Sequence, residues 1–508
     1  LAFLFKQTYN LFDFTIEGRI MPYLIIVIGI LLLTFLIMLF RTLQLSDSSF
    51  QSTSVELMEV NTKKAAEHLA AAIRFKTISK ETMEESDFAP FKEYHRWLEK
   101  TYPKIHATFK KEVVNQHSLL YHWKGTEPRL QPILLASHLD VVPVDEVTIP
   151  AWHADPFKGE IKQGFIWGRG ALDMKNHTVA IFEAVEALIE SGFQPKRDIY
   201  FAFGHDEEIS GKNGAKSIAA LLKRKGIKLA AVLDEGGMIS HGLVPGVEMP
   251  VGLVGVGEKE YVTVNLTAKG TPGHSSNPPR QTAIGVLARA IALLDDNPFP
   301  ARPDLAIATF KRVAYLFPFS VRFILANTWL LKSVLVKELE KKVQTNALIR
   351  TTHAATVIRG GIKDNILPAE ARAKINFRLL PGDSQESVVR HICKVVNDPR
   401  VEVEIDMADA WGPSKISTID TPAYKTLELV IRQVFGEIPV APYLLMFATD
   451  ARHYQDVSEQ LYHFSPLAME TEDIGRMHGI DERIGEDALS GMVKFYARLL
   501  KVWGEAEF

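Results

Sequence analysis

A chain of 508 residues is long enough for two or three domains with a sizeable core, and 47% hydrophobic and 23% charged residues fit an ordinary globular protein. The formal net charge of -3 gives no global field that would favour nucleic acid, so no nucleic-acid partner is expected. The single cysteine, Cys393, excludes an intrachain disulfide and says little about compartment.

The first element is apolar. Residues 22–40, PYLIIVIGILLLTFLIMLF, are 19 residues without a charge. In a helix rising about 1.5 Å per residue they match roughly the hydrocarbon thickness of a bilayer. The run exceeds the apolar region of a cleaved signal peptide, and no clear cleavage site follows. It is read as a transmembrane signal anchor over 22–43, after a leader at 1–21 and before a Ser-rich linker at 44–58. Lys6 and Arg19 precede it and Arg41 follows, and a start at Met21 would remove the first two. The expectation is a single-pass membrane protein with an extracytoplasmic catalytic domain.

Beyond the linker, short apolar runs alternate with helical periodicity. QPILLASHLD (131–140), RDIYFAFGHDEE (197–208) and KLAAVLDEGG (228–237) read as strands. NHTVAIFEAVEALIESG (176–192) and GAKSIAALLKRKG (214–226) read as helices. This alternation predicts an α/β domain with a mostly parallel sheet and helices on both faces. From Gly257 the pattern becomes β-α-β-β-α-β, the order of a ferredoxin-like unit. The chain therefore divides into a catalytic domain formed by two separate segments, 59–256 and 408–508, and an inserted α+β domain (257–407) between them. Within the inserted domain, 305–343 reads as an apolar helical pair dotted with Lys and Arg and broken at Pro318, with a lipid-binding surface as the alternative. It carries Phe310, Phe317, Phe319, Phe323 and Trp329, an apolar wall suited to an acyl chain.

Each strand-like run ends in potential metal ligands: His138 and Asp140, then Glu207 and Glu208, then Asp234 and Glu235. Ligand sites of parallel α/β sheets lie beyond the carboxyl ends of the strands, so these residues can converge. Asp173 sits in the Gly-rich WGRGALDMK, and His478 comes late in the chain. Two histidines with several carboxylates suit zinc or a similar metal. Such an ion would neutralise the acids of GHDEE. One glutamate can then bind metal while its neighbour takes a proton from water.

Taken together, SHLDVVP, WGRGALDMK, GHDEEISG, LDEGG, GTPGHSS, GGIKDNILP and MHGIDERI resemble the aminoacylase and carboxypeptidase family of di-zinc metallopeptidases, peptidase family M-twenty, from about residue 60 to the end. The motifs are most similar to its carboxypeptidase S and N-fatty-acyl-amino-acid synthase/hydrolase branch. The resemblance implies two zinc ions per chain, bridged by Asp173. His138 and Asp234 would complete one metal's ligands, Glu208 and His478 the other's. Glu207 would be the general base, and Asp140 would orient His138. The inserted domain would be a lid whose His274 contacts the reacting carbonyl, while Asn365 and Arg378 hold the substrate. The implied activity is hydrolysis of the amide of an N-acyl amino acid, or its reversal. A carboxypeptidase or dipeptidase acting on small peptides is the alternative, and a non-catalytic metal-binding scaffold is the rival from another class. Pairing of two copies through the lid stays open.

Other features read as structural. His205, His353 and His463 fall outside the pattern. GKNGAKS (211–217) lacks the spacing of a phosphate loop. Asn176 and Asn265 open glycosylation sequons.

Overall fold

The computed structural model describes residues 2–45, 54–80, 85–242, 244, 246–407 and 415–508. The Ser-rich linker falls mainly on 46–53, outside the described residues.

Strands Ile133–His138, Ile199–Gly204 and Ala231–Asp234 are buried along their whole length, because the sheet they form is covered on both faces. Side chains alternate across a strand. Accordingly Ile133, Leu135, Phe201 and Leu233 pack beneath helices Thr62–Ile73, Lys175–Glu190 and Glu486–Glu505. Leu134, Ala136, Ala202 and Val232 pack on the opposite face with Ile218 and Leu222 of helix Ala215–Arg224. The ten-stranded sheet runs in the order Lys110–Val114, Ser118–Trp123, Ile199–Gly204, Ile133–His138, Ala231–Asp234, Leu461–His463, Val251–Glu258, Met238–Ser240, Ala468–Met469, with Val440–Leu445 also paired to Val251–Glu258. Its centre is parallel, as expected, but Ser118–Trp123 pairs antiparallel with both its neighbours and Met238–Ser240 pairs antiparallel with Val251–Glu258. The sheet is therefore mixed.

At Lys259 the chain leaves this sheet for a second one. Its four strands lie in the order Val401–Ile405, Glu260–Lys269, Glu370–Leu379, Thr352–Gly360, all antiparallel. Helices Ala283–Asp296 and Gln385–Val396 cover one face, with Leu287, Ile392 and Phe377 fully buried between the layers. This is the ferredoxin-like arrangement. Thr282 and Ser384 cap the two helices by accepting hydrogen bonds from the first-turn amides of Gly285 and Ser387.

The segment expected as a helical pair is instead four α-helices and a 3-10 turn. The helices are Asp304–Arg312, Phe319–Ala326, Thr328–Glu340 and Val343–Ile349. They do not join the lid core. Phe310, Val313, Phe317 and Leu335 bury against Val251, Leu253 and Ala441 of the ten-stranded sheet. The five aromatics form no common wall. Phe310 and Phe317 are core, Phe323 meets Phe35 of the N-terminal helix, and Phe319 and Trp329 are exposed. Chain adjacency to the lid suggested otherwise, but apolar area is buried where a partner face exists.

The N-terminal apolar run lies within one helix, Ala2–Gln44, without a break at 21. The sequon residue Asn176 is fully buried in helix Lys175–Glu190, where no glycan fits.

The buried Thr309 hydroxyl donates to Pro442 O at 2.6 Å and ties the helical segment to the sheet edge. Thr309→Val is expected to lower the unfolding free energy by about 1 kcal/mol. Chemical denaturation measures it, and metal binding should be unchanged.

Candidate metal centre

The carboxyl ends of the three central strands carry the acids. His138 ends its strand opposite Gly204, and the chain after Gly204 turns at once into the short 3-10 segment Glu207–Ile209. Asp206 builds this turn: its carboxylate accepts the Asn213 and Gly214 amides, both at 2.7 Å. Glu207 and Glu208 are thereby left for the site. Their own amides are held by fully buried Asp140, Glu207 N at 3.2 Å from Oδ1 and Glu208 N at 3.2 Å from Oδ2. Asp140 also accepts from Ser79 Oγ at 2.7 Å, and its Oδ1 lies 3.3 Å from His138 Nδ1. One carboxylate thus orients the histidine and both glutamates.

His138 Nε2 faces inward, 3.0 Å from Asp173 Oδ1 and 3.5 Å from Glu235 Oε1. Across Asp173, its Oδ2 lies 3.0 Å from His478 Nε2, which is 3.2 Å from Glu208 Oε2. Asp173 therefore stands between two histidines with one oxygen toward each. Two groups result: His138 with Glu207 and Glu235, and His138 with Asp173 and Glu208, each with its potential ligand atoms within 4.8 Å of one another. Ligand atoms at about 2.0–2.2 Å from a tetrahedral zinc are roughly 3.3–3.6 Å apart, close to these separations. Glu208 Oε1 is buried with no hydrogen-bond partner among the described residues, an orphaned acceptor of the kind a cation satisfies. The donor set, imidazole and carboxylate without thiolate, suits zinc or a neighbouring first-row ion.

The electrostatics agree. Burial, aided by the charges of Glu235, Asp450 and Glu208, pushes Glu207 well above the ordinary carboxylate range. Burial and Asp173 push Glu235 up to about 8 and Glu208 up to about 7. Burial opposes charge on His138, yet its bonds to Asp140, Asp173 and Glu235 together hold it charged well above the usual imidazole range. Hydrogen bonds to Asp173 and Glu208 raise His478 to about 10. The acids crowd together and seek positive charge.

Asp234, expected at the metal, is buried, with Oδ1 accepting Glu235 N at 2.9 Å and Oδ2 without a hydrogen-bond partner among the described residues. The strand ends at Asp234, and Glu235, one residue on, reaches His138. His274 and Asn365 do come together. They lie on the paired segments Gly273–His274 and Ile366–Leu367 and the residue before, with Ser275 N donating to Asn365 O at 3.1 Å. Both are exposed on the lid, and no contact with the acid cluster is seen among the described residues. Arg378 stands over the Tyr261 ring at 4.8 Å, half-buried, with no ion pair to a carboxylate among the described residues. His205 bonds Ser118 Oγ at 2.6 Å, His353 pairs with Asp295 at 3.1 Å, and buried His463 lies 3.2 Å from Glu235 O. All three have structural partners.

Sequence reasoning missed a clamp. Buried Glu482 accepts three amides of the 170–173 loop through Oε1: Gly170 at 3.0 Å, Leu172 at 2.8 Å and Asp173 at 3.1 Å. Its Oε2 accepts from Arg169 at 2.5 Å, and Arg169 Nη2 donates to His478 O and Gly479 O, both at 3.1 Å. The loop carrying Asp173 is thus fastened to the loop carrying His478. The signal was present in GRG and HGIDER, but only the fold reveals that they meet.

With this geometry in place, comparison with known proteins is decisive. The family model described as "Peptidase family M20/M25/M40" matches residues 134–502. The chain belongs to this family. It is a metal-dependent hydrolase of amide or peptide bonds. A probable carboxypeptidase S-like protein of Dictyostelium discoideum is 39% identical over 86% of this chain and 84% of its own length. An N-fatty-acyl-amino acid synthase/hydrolase of Xenopus tropicalis is 37% identical over 89% of this chain and 88% of its own. Among solved structures, an M20 family metallo-carboxypeptidase from Sulfolobus solfataricus shares the fold, with a TM-score of 0.62 at 19% identity, covering 87% of this chain and 99% of that one.

Two outcomes test the site. Glu235→Gln is expected to weaken metal binding more than Asp234→Asn, measured by chelator competition. Glu482→Gln is expected to lower metal affinity about 10–100-fold, as loss of groups that orient ligands does, with the far-ultraviolet circular dichroism retained.

Proposed function

We propose that the chain is a di-zinc enzyme that cleaves, and in reverse forms, the amide bond of N-acyl amino acids. The observation that carries this reading is the placement of Asp173 between His138 and His478, with Glu207 in the adjoining group with His138 and Glu235. Asp173, His138 and Glu235 would hold one ion, and Asp173, Glu208 and His478 the other. When bound, the two ions would acidify a shared water and draw charge from the substrate carbonyl.

The remaining work falls to the chain's own residues. Glu207 accepts the proton of the attacking water and passes it to the leaving amine. Burial, which favours the protonated form of its carboxyl, suits that transfer. Asp140 keeps Glu207 and His138 in position throughout. His274, brought over by lid movement, donates to the developing oxyanion. Asn365 and Arg378 hold the free carboxylate. The absence of an ion pair to Arg378 among the described residues supports that role, since its guanidinium is not committed to a carboxylate within the lid.

Names among the relatives favour N-fatty-acyl amino acids on one side and carboxypeptidase S substrates on the other. A small peptide with a free carboxylate is therefore the second reading, and the same machinery would serve it. Helix residues Tyr23–Phe40 anchor the enzyme in a membrane, supported by a mean hydropathy of 3.0 over the most apolar 18 residues of Tyr23–Gln44 and by exposed side chains along it. Two copies pair along Thr352–Gly360, a lid edge strand that leaves Ile358 61% exposed.

Glu207→Gln should keep its metal and lose about two to four orders of magnitude in kcat. Substantial activity with full metal would remove Glu207 from the base's role. Arg378→Lys should cut kcat/KM roughly tenfold or more for N-acyl amino acids, because lysine cannot copy the two-pronged contact. It should do much less to the matching amide-capped substrates. A panel of N-acyl amino acids and dipeptides separates the two substrate readings.

A further inference from the structure

The N-terminal helix does not leave the body freely. Phe35 and Phe323 have ring centroids 6.2 Å apart. The Asn327 side-chain amide donates to Met38 O at 3.1 Å and to Thr42 Oγ1 at 3.3 Å, and Arg41 Nε donates to Ala326 O at 3.2 Å. Thr42 is 1% exposed. Helix Phe319–Ala326 therefore lies along the last turns of the apolar span, in the same chain sense, with 323 beside 35 and 326–327 beside 38–42.

This pairing fixes depth. Phe35 is five residues inside the end of the apolar run at Phe40, about 7 Å along the helix axis. Phe323 shares that level. Phe319, one turn earlier with its ring 6.1 Å from that of Phe323, lies toward the middle of the span. Asn327 marks the level of the span's end, and Trp329 follows two residues later. Large apolar side chains point away from the body here, Phe319 at 46% exposed, Trp329 at 56%, Leu330 at 54% and Val334 at 45%, with Ser320, Lys332 and Ser333 exposed among them. Exposed apolar residues contiguous with a membrane span would be costly in water. A Trp at the level where the span ends is the usual occupant of the membrane–water interface, and exposed Lys337 further along the same helix suits the headgroups.

We propose that helix Phe319–Ala326 and the first turn of helix Thr328–Glu340 enter the near leaflet of the bilayer beside the N-terminal helix, giving the enzyme a second lipid contact. The inference rests on the reading of Tyr23–Phe40 as a membrane anchor and adds to it. It explains why this segment exposes large apolar side chains although it lines no common wall with Phe310 and Phe317. It also seats the catalytic body against the membrane, where long-chain acyl compounds partition.

The test uses the full chain in phosphatidylcholine vesicles, with Cys393→Ser and one cysteine introduced at a time: Leu32→Cys in the span, Phe319→Cys, Trp329→Cys, and Lys374→Cys on an exposed lid strand. Each is labelled with an environment-sensitive fluorophore. Quenching by spin-labelled lipid is compared with quenching by aqueous iodide. All four positions are exposed on the protein, and the substitutions give up only the Phe319–Phe323 ring contact and the Lys374–Asp406 ion pair. Lipid quenching at 319 and 329 should approach that at 32 and exceed that at 374 roughly threefold or more. Quenching by lipid at 32 but by iodide at 319 and 329 would overturn the inference while leaving the anchor in place. Positions 319 and 329 reached by neither quencher would mean that protein, such as a second copy, covers them, and would overturn it as well. Failure of lipid to reach position 32 would remove the anchor and the inference together.

Discussion

Four carboxylates, Asp173, Glu207, Glu208 and Glu235, share one largely buried space with His138, and their mutual repulsion is the feature around which the rest of the structure is organised. Two imidazoles relieve part of it. Burial still presses Glu207, Glu208 and Glu235 toward their neutral forms, which is the state a divalent ion would reverse. A fold gathers such a cluster only by holding its members rigidly. Here the rigidity comes from the parallel centre of a sheet whose strands are buried end to end.

Two further carboxylates do the holding. Asp140 spends its lone pairs on the Glu207 and Glu208 amides, on Ser79 and beside His138. Glu482, with Arg169, binds the Asp173 loop to the His478 loop. Both are fully buried and satisfied by several donors, which is the condition for a buried charge to be tolerated. The site is thus an arrangement of acids in two tiers, an outer pair saturated by protein donors and an inner set short of positive charge. The inserted domain carries an exposed histidine, His274, and Arg378, which has no carboxylate partner among the described residues.

The fold was legible where local pattern and burial coincide. Apolar runs ending in acids became the central strands, and the β-α-β-β-α-β order became a four-stranded antiparallel lid sheet. Asp234 and Glu235 were not separable. Alternation assigns faces along a strand but loses its hold where the strand stops, and the residue that reaches His138, Glu235, is the first one past the end. The 305–343 segment was misplaced for a different reason. Its helical period was plain, but the partner face, on strands Val251–Glu258 and Val440–Leu445, is remote in sequence. The Arg169–Glu482 pair is separated by 313 residues, and no local signal could join it.

In the proposed centre two ions would be held, one by Asp173, His138 and Glu235 and the other by Asp173, Glu208 and His478. Zinc-edge anomalous diffraction from zinc-loaded crystals would reveal both ions and their neighbours at once. Two peaks flanking the Asp173 carboxylate, with Glu235 rather than Asp234 beside the first, are expected. A single peak, or a peak bound by Asp234 with Glu235 turned away, would contradict the bridged arrangement.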